Sequence, residues 1–225
     1  MSVLIFDCET TGVKEPRLVE AAWVRLSPGP TSILPLQKFS QRYNPGVPIE
    51  CGAMATHHIM DEDVRDCPPA SEFTLPADTA YLIGHNIDFD WEVACSCGPQ
   101  PTPKRICTLA LARHLWPDAD SHSLAALAYR LDPPRARILC PHAHGAEADV
   151  QLVRVILLFA ILAQLKPSSW EALWEISERA RIPVYMPFGK YRDTGIKIVD
   201  IPRDYKAWLL RQDDVDPYLQ LALRR

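Results

Sequence analysis

Four carboxylates and one histidine, spread over three short segments, carry the chemistry of this 225-residue chain. The segments are Asp7-Cys8-Glu9, His85-Asn86-Ile87-Asp88-Phe89-Asp90 and His144-Gly145-Ala146-Glu147-Ala148-Asp149. Carboxylate oxygens are hard ligands that suit Mg2+ or Mn2+, and an imidazole takes up a proton near neutral pH. Asp7 and Glu9 are two apart, so on a strand both project from one face. Like charges that close repel in a poorly solvated place, and divalent cations resolve the repulsion by coordination. On this pair alone, solvated acids at a strand end are an equal reading, because short motifs match by chance.

The second segment narrows the choice. Asn86 is placed to cap a helix and Phe89 to anchor its first turn. Asp90 then lies in that turn, near the positive end of the helix, where an ionised carboxylate is favoured. Asp88 competes with it, although capping or a solvated turn is the plainer role, and His85 reads as a ligand or as a packed histidine. In the third segment His144 and Asp149 are five apart, which at about 100° per residue puts them on different helix faces. To serve one site, His144 must sit on a loop and Asp149 on the helix that follows, and Pro141 and Gly145 make such a loop. His142 is a rival to His144 on the same loop, and Glu147 reads as a first-turn charge on the helix dipole. Two divalent cations about 3.5–4 Å apart can stabilise both the attacking and the leaving oxygen of an in-line displacement. The chemistry that fits is hydrolysis of the last phosphodiester at a 3′ end. Asp7 bridges the cations, Glu9, Asp90 and Asp149 complete their shells, and His144 takes the proton of the attacking water.

The elements needed to hold these residues are legible nearby. Val3 to Cys8 is a short apolar run ending in polar residues, as in a buried strand. Leu18 to Leu26 and Gln37 to Tyr43 read as two more strands with turn-length links, which predicts an antiparallel meander. Tyr81 to Gly84 is a fourth strand ahead of a helix starting near Asp88, and Arg105 to Cys107 a fifth. Helices are predicted over Thr108 to Trp116, Ser123 to Leu131 and Ala146 to Leu165, with Pro117 and the Pro133-Pro134 pair as breaks. Beyond Pro167 come a helix over Trp170 to Ala180, a compact piece from Val184 to Ile201 and a helix over Arg203 to Arg211. Strands first and helices later make an α/β protein with a mixed sheet. The expected division is a main domain over residues 1–166 and a small module over 167–225.

Composition bounds the function. Hydrophobic residues are 48% and charged residues 23%, enough for a core and against global disorder. The net charge of −4 argues against a protein that coats DNA, which would be basic, and weighs more against a binding module than against an enzyme. The first residues lack the basic flank, long apolar run and cleavage site of a signal peptide. The apolar stretch Val153 to Leu165 suits a buried helix, so no membrane partner is expected. Seven cysteines with irregular spacing read as reduced thiols, which points to the cytoplasm. Cys8, between two candidate ligands, should face the core.

The pattern Asp7-x-Glu9-Thr10-Thr11-Gly12, His85-Asn86-x-x-Phe89-Asp90, His144-x-Ala146-x-x-Asp149 resembles the three motifs of the DnaQ-like DEDDh 3′–5′ exonucleases, in order and over residues 1–165. The resemblance implies a ribonuclease H-like fold with a five-stranded mixed sheet flanked by helices. It also implies two Mg2+ ions, for which Mn2+ may substitute, and the roles given above. Cys107-Thr108-x-x-Leu111-Ala112-Arg113-x-Leu115-Trp116-Pro117, Pro187-Phe188-Gly189-Lys190-Tyr191-Arg192, Asp200-Ile201-Pro202 and Tyr205-x-x-Trp208-Leu209 resemble one bacterial branch of that family, the exonuclease X group. That likeness implies action on single-stranded and duplex DNA ends, in repair or end processing. The glycine-rich lead into the second strand is replaced here by Val13-Lys14-Glu15-Pro16, a departure that alters the loop. Substrate contacts are expected from Thr10, Thr11, Gly12 and Asn86. Val13 could wedge against a terminal base pair and Lys14 contact phosphate, or both could sit in an ordinary exposed turn. Ala53 to Ile59 resembles the family's substrate-facing helix start, where Met54 or His58 could touch the terminal nucleotide or serve as core and cap. Lys190 and Arg192, with Phe188 and Tyr191 as stacking surfaces, could bind backbone phosphate or form a packed turn.

Two other functions fit parts of the pattern. An RNA-trimming enzyme of the same fold would carry the same motifs, because DNA and RNA are told apart at the sugar 2′ position. A subunit that docks on a polymerase would use the C-terminal module, although five filled catalytic positions argue against a dead scaffold. A homodimer is carried forward from the family, which is dimeric in some branches.

Overall fold

The structure, a computed structural model, describes residues 2–192 and 194–225, and every side chain among them except that of His142. Among the described residues, five strands form one sheet in the order β3-β2-β1-β4-β5. They are β1 (Ser2–Thr10), β2 (Leu18–Leu26), β3 (Pro35–Arg42), β4 (Thr79–Gly84) and β5 (Lys104–Cys107). β1 pairs antiparallel with β2, and β2 with β3, so the predicted meander is present. β4 and β5 join on the other side of β1 as parallel strands. The mixed sheet follows from that switch, since a parallel return needs a crossover, here filled by helices.

β1 is the centre of the sheet, and Val3, Leu4, Ile5 and Phe6 are buried in a continuous run. A strand covered on both faces reads as an unbroken apolar stretch instead of an alternation. The helices that follow are α1 (Cys51–His57), α2 (Asp61–Val64), α3 (Ile87–Cys97), α4 (Thr108–Leu115), α5 (Leu124–Leu131), α6 (Pro133–Leu139), α7 (Ala146–Leu152), α8 (Phe159–Leu165), α9 (Trp170–Arg181), α10 (Arg203–Leu209) and α11 (Pro217–Leu223). Gly84 lets β4 turn into α3 beside β1. A Cβ there would stand 2.8 Å from the Phe6 carbonyl oxygen and 2.7 Å from the Ile87 side chain.

The Pro133-Pro134 pair ends the predicted helix, since α5 stops at Leu131, and it also starts a second helix that the sequence reading did not give: Asp132 caps α6, its carboxylate accepting the Arg135 N–H at 3.2 Å. Asp216-Pro217 repeats the device at α11, where Asp216 Oδ1 accepts from Tyr218 N and Leu219 N at 2.9 and 3.0 Å. Proline lacks the N–H that a first helical turn leaves orphaned, so it is at home there. The predicted helix Ala146–Leu165 is one continuous rod, but its middle, Val153–Leu158, is wound as a π-helix between α7 and α8. Its length and mean hydropathy of 1.9 would let it cross a membrane. Its apolar side chains instead enter the protein, with Val150, Leu152, Val153, Ile156, Leu157, Leu158 and Ile161 all buried.

The chain divides into two compact units, the first ending at Ser177 and the second Glu178–Arg225. The boundary expected at Pro167 falls ahead of α9, whose opening turns belong to the first unit. Trp170 and Leu173 are buried, Ser177 Oγ accepts the Cys107 N–H at 2.9 Å, and Glu171 pairs with Lys104 and accepts the Tyr81 hydroxyl at 2.7 Å. The second unit has its own core of Met186, Ile198, Ile201, Leu209, Val215, Leu219 and Leu223. Tyr205 meets Tyr191 edge-on and Trp208 at a tilt, with centroids 4.9 and 5.5 Å apart.

Candidate active site

Asp7 and Glu9 share one face of β1, as a two-residue spacing requires. Asp149, in the first turn of α7, faces them. One carboxylate oxygen from each of the three lies within 4.8 Å of the others. Asp90, from the first turn of α3, approaches β1 from beside Cys8. Its Oδ1 accepts the Cys8 backbone N–H at 3.1 Å and the Cys8 thiol at 3.3 Å. Cys8 is buried, as expected, and this thiol contact explains its place between the acidic residues: it fixes the rotamer of Asp90.

The electrostatics of the cluster is unfavourable in isolation. Burial raises the Asp7 pKa well above the usual carboxylate range, and the negative charges of Asp90, Asp149, Glu9 and Glu20 raise it further. Burial, then Asp149, Glu20 and Asp90, push Glu9 to about 8. Asp90 is pushed up to about 7 by burial, with the two Cys8 hydrogen bonds acting in the opposite direction. Burial raises Asp149 too, opposed by the His144 N–H and the His144 charge. Acids gathered in this way bind protons or cations. A donor set made only of hard oxygens, with surplus negative charge and little water, fits divalent Mg2+ or Mn2+.

His144 sits outside the rod, on the loop before α7, as the five-residue spacing demanded. It is exposed, its backbone is left-handed with φ +65°, and its N–H reaches Asp149 Oδ1 at 3.3 Å. The rival His142 has a side chain outside the described set. Asp88 points away into an ion pair with Arg105 at 3.2 Å. Glu147 is exposed on the first turn of α7. His85 is a packed histidine: Nε2 lies 2.8 Å from the His122 carbonyl, Nδ1 lies 3.2 Å from Thr108 Oγ1, and burial lowers its pKa to about 4. A carbonyl only accepts, so the neutral ring carries its proton on Nε2.

Beside the carboxylates runs a groove of about 290 Å³, walled by Glu9, Thr10, Gly12 and Val13 on one side and by Glu50, Ala53 and His57 on the other. Phe89 also lines it. His57 is buried and ties α1 to the end of β1. Its Nε2 donates to the Thr10 carbonyl at 3.1 Å, and its Nδ1 accepts the Ile59 N–H at 3.0 Å. Burial lowers its pKa, which keeps this neutral arrangement. Gly12 leaves room for the Glu50 carboxylate, since a Cβ there would displace that exposed side chain.

The residues expected to meet substrate fall in different places: Thr10, Gly12 and Val13 line the groove, whereas others have partners within the fold. Met54 packs against Val19, Ile49, Ile59 and Val64, because it falls on the core side of α1. His58 is the left-handed C-cap of that helix, exposed, with its N–H on the Met54 carbonyl at 2.8 Å. Asn86 holds the N-cap position of α3 but, among the described residues, its side chain makes no capping hydrogen bond; its left-handed backbone, φ +71°, serves instead. Thr10 Oγ1 donates to the Gly12 carbonyl at 2.9 Å and Thr11 Oγ1 accepts the Arg17 N–H at 3.1 Å, so both hydroxyls shape the turn. Val13 is 83% exposed at the groove rim, beside exposed Lys14. The sequence reading passed over Glu20, Glu50 and His57. Glu20 stands opposite Glu9 in the strand register, and period-two alternation puts it on the face of the carboxylates.

Known proteins carry the same framework. The family model RNase_T, described as Exonuclease, matches residues 4–156. Exodeoxyribonuclease 10 of Escherichia coli strain K12 is 28% identical over 229 residues, spanning 98% of this chain and 96% of that protein. A DNA polymerase III subunit epsilon-like protein of Rhodobacter capsulatus is 30% identical over 142 residues, 58% of this chain and 20% of its own. Among solved structures, exonuclease X in complex with 5′ overhanging duplex DNA superposes with a TM-score of 0.61 at 28% identity, covering 78% of this chain and 99% of that one. Exonuclease I of E. coli with a dT13 oligonucleotide, at 20% identity and a TM-score of 0.55 over 73% and 41% of the two chains, shares the ribonuclease H-like fold. With its acidic residues gathered from β1, α3 and α7 on that fold, the chain belongs to the DnaQ-like exonucleases, hydrolytic nucleases among which it is most like exonuclease X.

Proposed function

We propose that the protein is a 3′–5′ DNA exonuclease that releases nucleoside 5′-monophosphates from single-stranded and duplex ends, in DNA repair or end processing. The observation that carries this reading is the convergence of Asp7, Glu9 and Asp149 to within 4.8 Å, with Asp90 alongside. In it, Asp7, Glu9, Asp90 and Asp149 hold two Mg2+ ions, or Mn2+ in their place. Bound there, such ions supply positive charge for the attacking and leaving oxygens of an in-line displacement. The chain's own residues do the rest. His144, exposed on its loop, takes the proton of the attacking water. The groove between the Glu9–Val13 segment and α1 takes the terminal nucleotide, stacked on Phe89. Val13, apolar and 83% exposed at the rim, is shaped to wedge under a terminal base pair, with Lys14 toward phosphate.

The relatives support DNA over RNA: one carries the name exodeoxyribonuclease and the other a DNA polymerase subunit name, and the exonuclease X structure holds duplex DNA. A cytoplasmic location accords with seven cysteines that are all free among the described residues. A homodimer also belongs to the reading, since β3 is an exposed edge strand with ladder positions open to pairing. The deciding experiment is Mg2+-dependent mononucleotide release from matched 3′-labelled duplex DNA, single-stranded DNA and RNA. Release from RNA at the DNA rate would remove the substrate assignment, and activity that persists in excess chelator would remove the cation chemistry.

A further inference from the structure

The carboxylate that the motifs do not contain is Glu20. It sits on β2, level with Glu9 across the strand pair, and its charge raises the pKa of both Glu9 and Asp7. A negative side chain there works against the cluster unless it serves another purpose. Its contacts supply one. Oε2 accepts the backbone N–H of Ala146 at 3.0 Å, and Oε1 accepts from Arg42 Nε at 3.3 Å. Ala146 is the first residue of the rod that carries Asp149, and it follows the His144–Gly145 loop directly. Its N–H is one of the orphan donors of a helix start. Gly145 occupies the cap position and has no side chain with which to satisfy that donor. A carboxylate reaching across from the neighbouring strand satisfies it and complements the positive end of the helix.

We propose that Glu20 is a positioning residue that clamps the start of α7 to the sheet, with Arg42 fixing its second oxygen, so that Asp149 and the His144 loop meet Asp7 and Glu9. The clamp rests on the functional reading above only for its effect on rate. A single residue thereby links β3, β2 and α7 to the site while touching neither substrate nor cation. Loss of the clamp shifts Asp149 and His144 relative to β1. Because reacting groups held even ~1 Å out of place lose about 10²-fold in rate, the effect falls on turnover. The groove is built from β1, α1 and Phe89 and stays intact, so substrate binding is spared.

Full-length Glu20→Ala is compared with Glu20→Gln, whose amide oxygen still accepts from Ala146. In Glu20→Ala, kcat is expected to fall about 10- to 100-fold with KM within about 3-fold of wild type. Titration with Mn2+ alone should weaken about 10-fold, and hydrogen exchange in the peptide holding residues 144–149 should speed up. Glu20→Gln should recover most of each loss, whereas a purely structural carboxylate would leave kcat and KM unsplit. If Glu20→Ala does not fold, Glu20→Met, which matches the length but cannot accept, replaces it. The proposal fails if the variant without an acceptor keeps wild-type kcat, Mn2+ titration and exchange, or if Glu20→Gln is no better than it. Wild-type protein that shortens no strand yet shows the same differences in Mn2+ titration and exchange would overturn the functional reading and support the clamp.

Discussion

The acidic cluster and the groove beside it are built on opposite physical principles, although β1 supplies both. In the cluster, burial raises the pKa of Asp7, Glu9, Asp90 and Asp149, and the neighbouring carboxylates raise the first three further, so the arrangement favours bound protons or cations. In the groove the Thr10–Gly12 turn and α1 are tied together by hydrogen bonds within the fold. His57 bridges Thr10 and Ile59, the Glu50 N–H reaches the Thr11 carbonyl at 2.9 Å, and Thr10 closes on Gly12. The first region is made to bind charge and the second to hold a shape. Substitutions in the cluster should therefore abolish turnover, and substitutions in the groove should shift substrate affinity.

The largest effect is expected at the centre of the cluster. Asp7→Ala should remove nearly all mononucleotide release while the thermal melt remains cooperative. Residual activity within ~10-fold of wild type would break the contrast, since that scale belongs to a peripheral group. His144→Ala should follow with a fall of roughly 10²–10⁴-fold in kcat, the range of general-base catalysis, and little change in KM. In the groove, Gly12→Ala drives the Glu50 carboxylate aside. A rise in KM of about 10-fold is expected, the size of a modest steric clash, with kcat held within a few fold. Glu50→Ala in the same chain should restore KM, and failure to do so would locate the defect elsewhere. A double Val13→Ala, Lys14→Ala variant should lose a few fold on duplex ends and less on single strands. Equal losses on both would remove the wedge.

The smallest effect concerns folding. Glu9 and Asp90 are raised to about 8 and about 7 in the fold, above their values in the unfolded chain. Between about pH 4 and 8 the folded state then binds more protons than the unfolded state, so stability is greatest at the acid end and declines as pH rises. In chelator, the melting temperature should fall from pH 5 to pH 8. Mn2+ should flatten that slope by taking the place of the protons. A melting temperature that rises with pH would mean the carboxylates are not the strained groups described.

The same contrast explains what was legible in the sequence. Asp7, Glu9, Asp90 and Asp149 stand where local geometry fixes direction, at a strand end or in the first turn of a helix, so the three motifs taken together, with Asp88 as a rival to Asp90, carried the expectation that they meet. His144 was placed on a loop by the five-residue argument. The groove was harder to read, because its shape comes from contacts between segments distant in sequence. His57 looked like one of two adjacent histidines, and nothing local distinguishes the buried one from its exposed neighbour. Met54 was left between a substrate contact and a core position because seven residues of α1 do not establish a helical phase, and in the fold it packs against Val19, Ile49, Ile59 and Val64. Nothing local marks Glu20, since its partners Arg42 and Ala146 come from two other elements. The Asp-Pro start of α6 was passed over because the Pro133-Pro134 pair was weighed only as a break.

The opening turns of α9 bear on how much of the chain catalysis needs. Ser177 is the partner of the Cys107 amide at the end of β5, and Trp170 and Leu173 fill space in the first unit. A protein trimmed back to Lys166 would strand a main-chain donor and bare two large apolar surfaces at the sheet's parallel edge. One ending after Arg181 would keep all three residues. The minimal nuclease is therefore longer than its motifs suggest, and part of what looks like tail is scaffold.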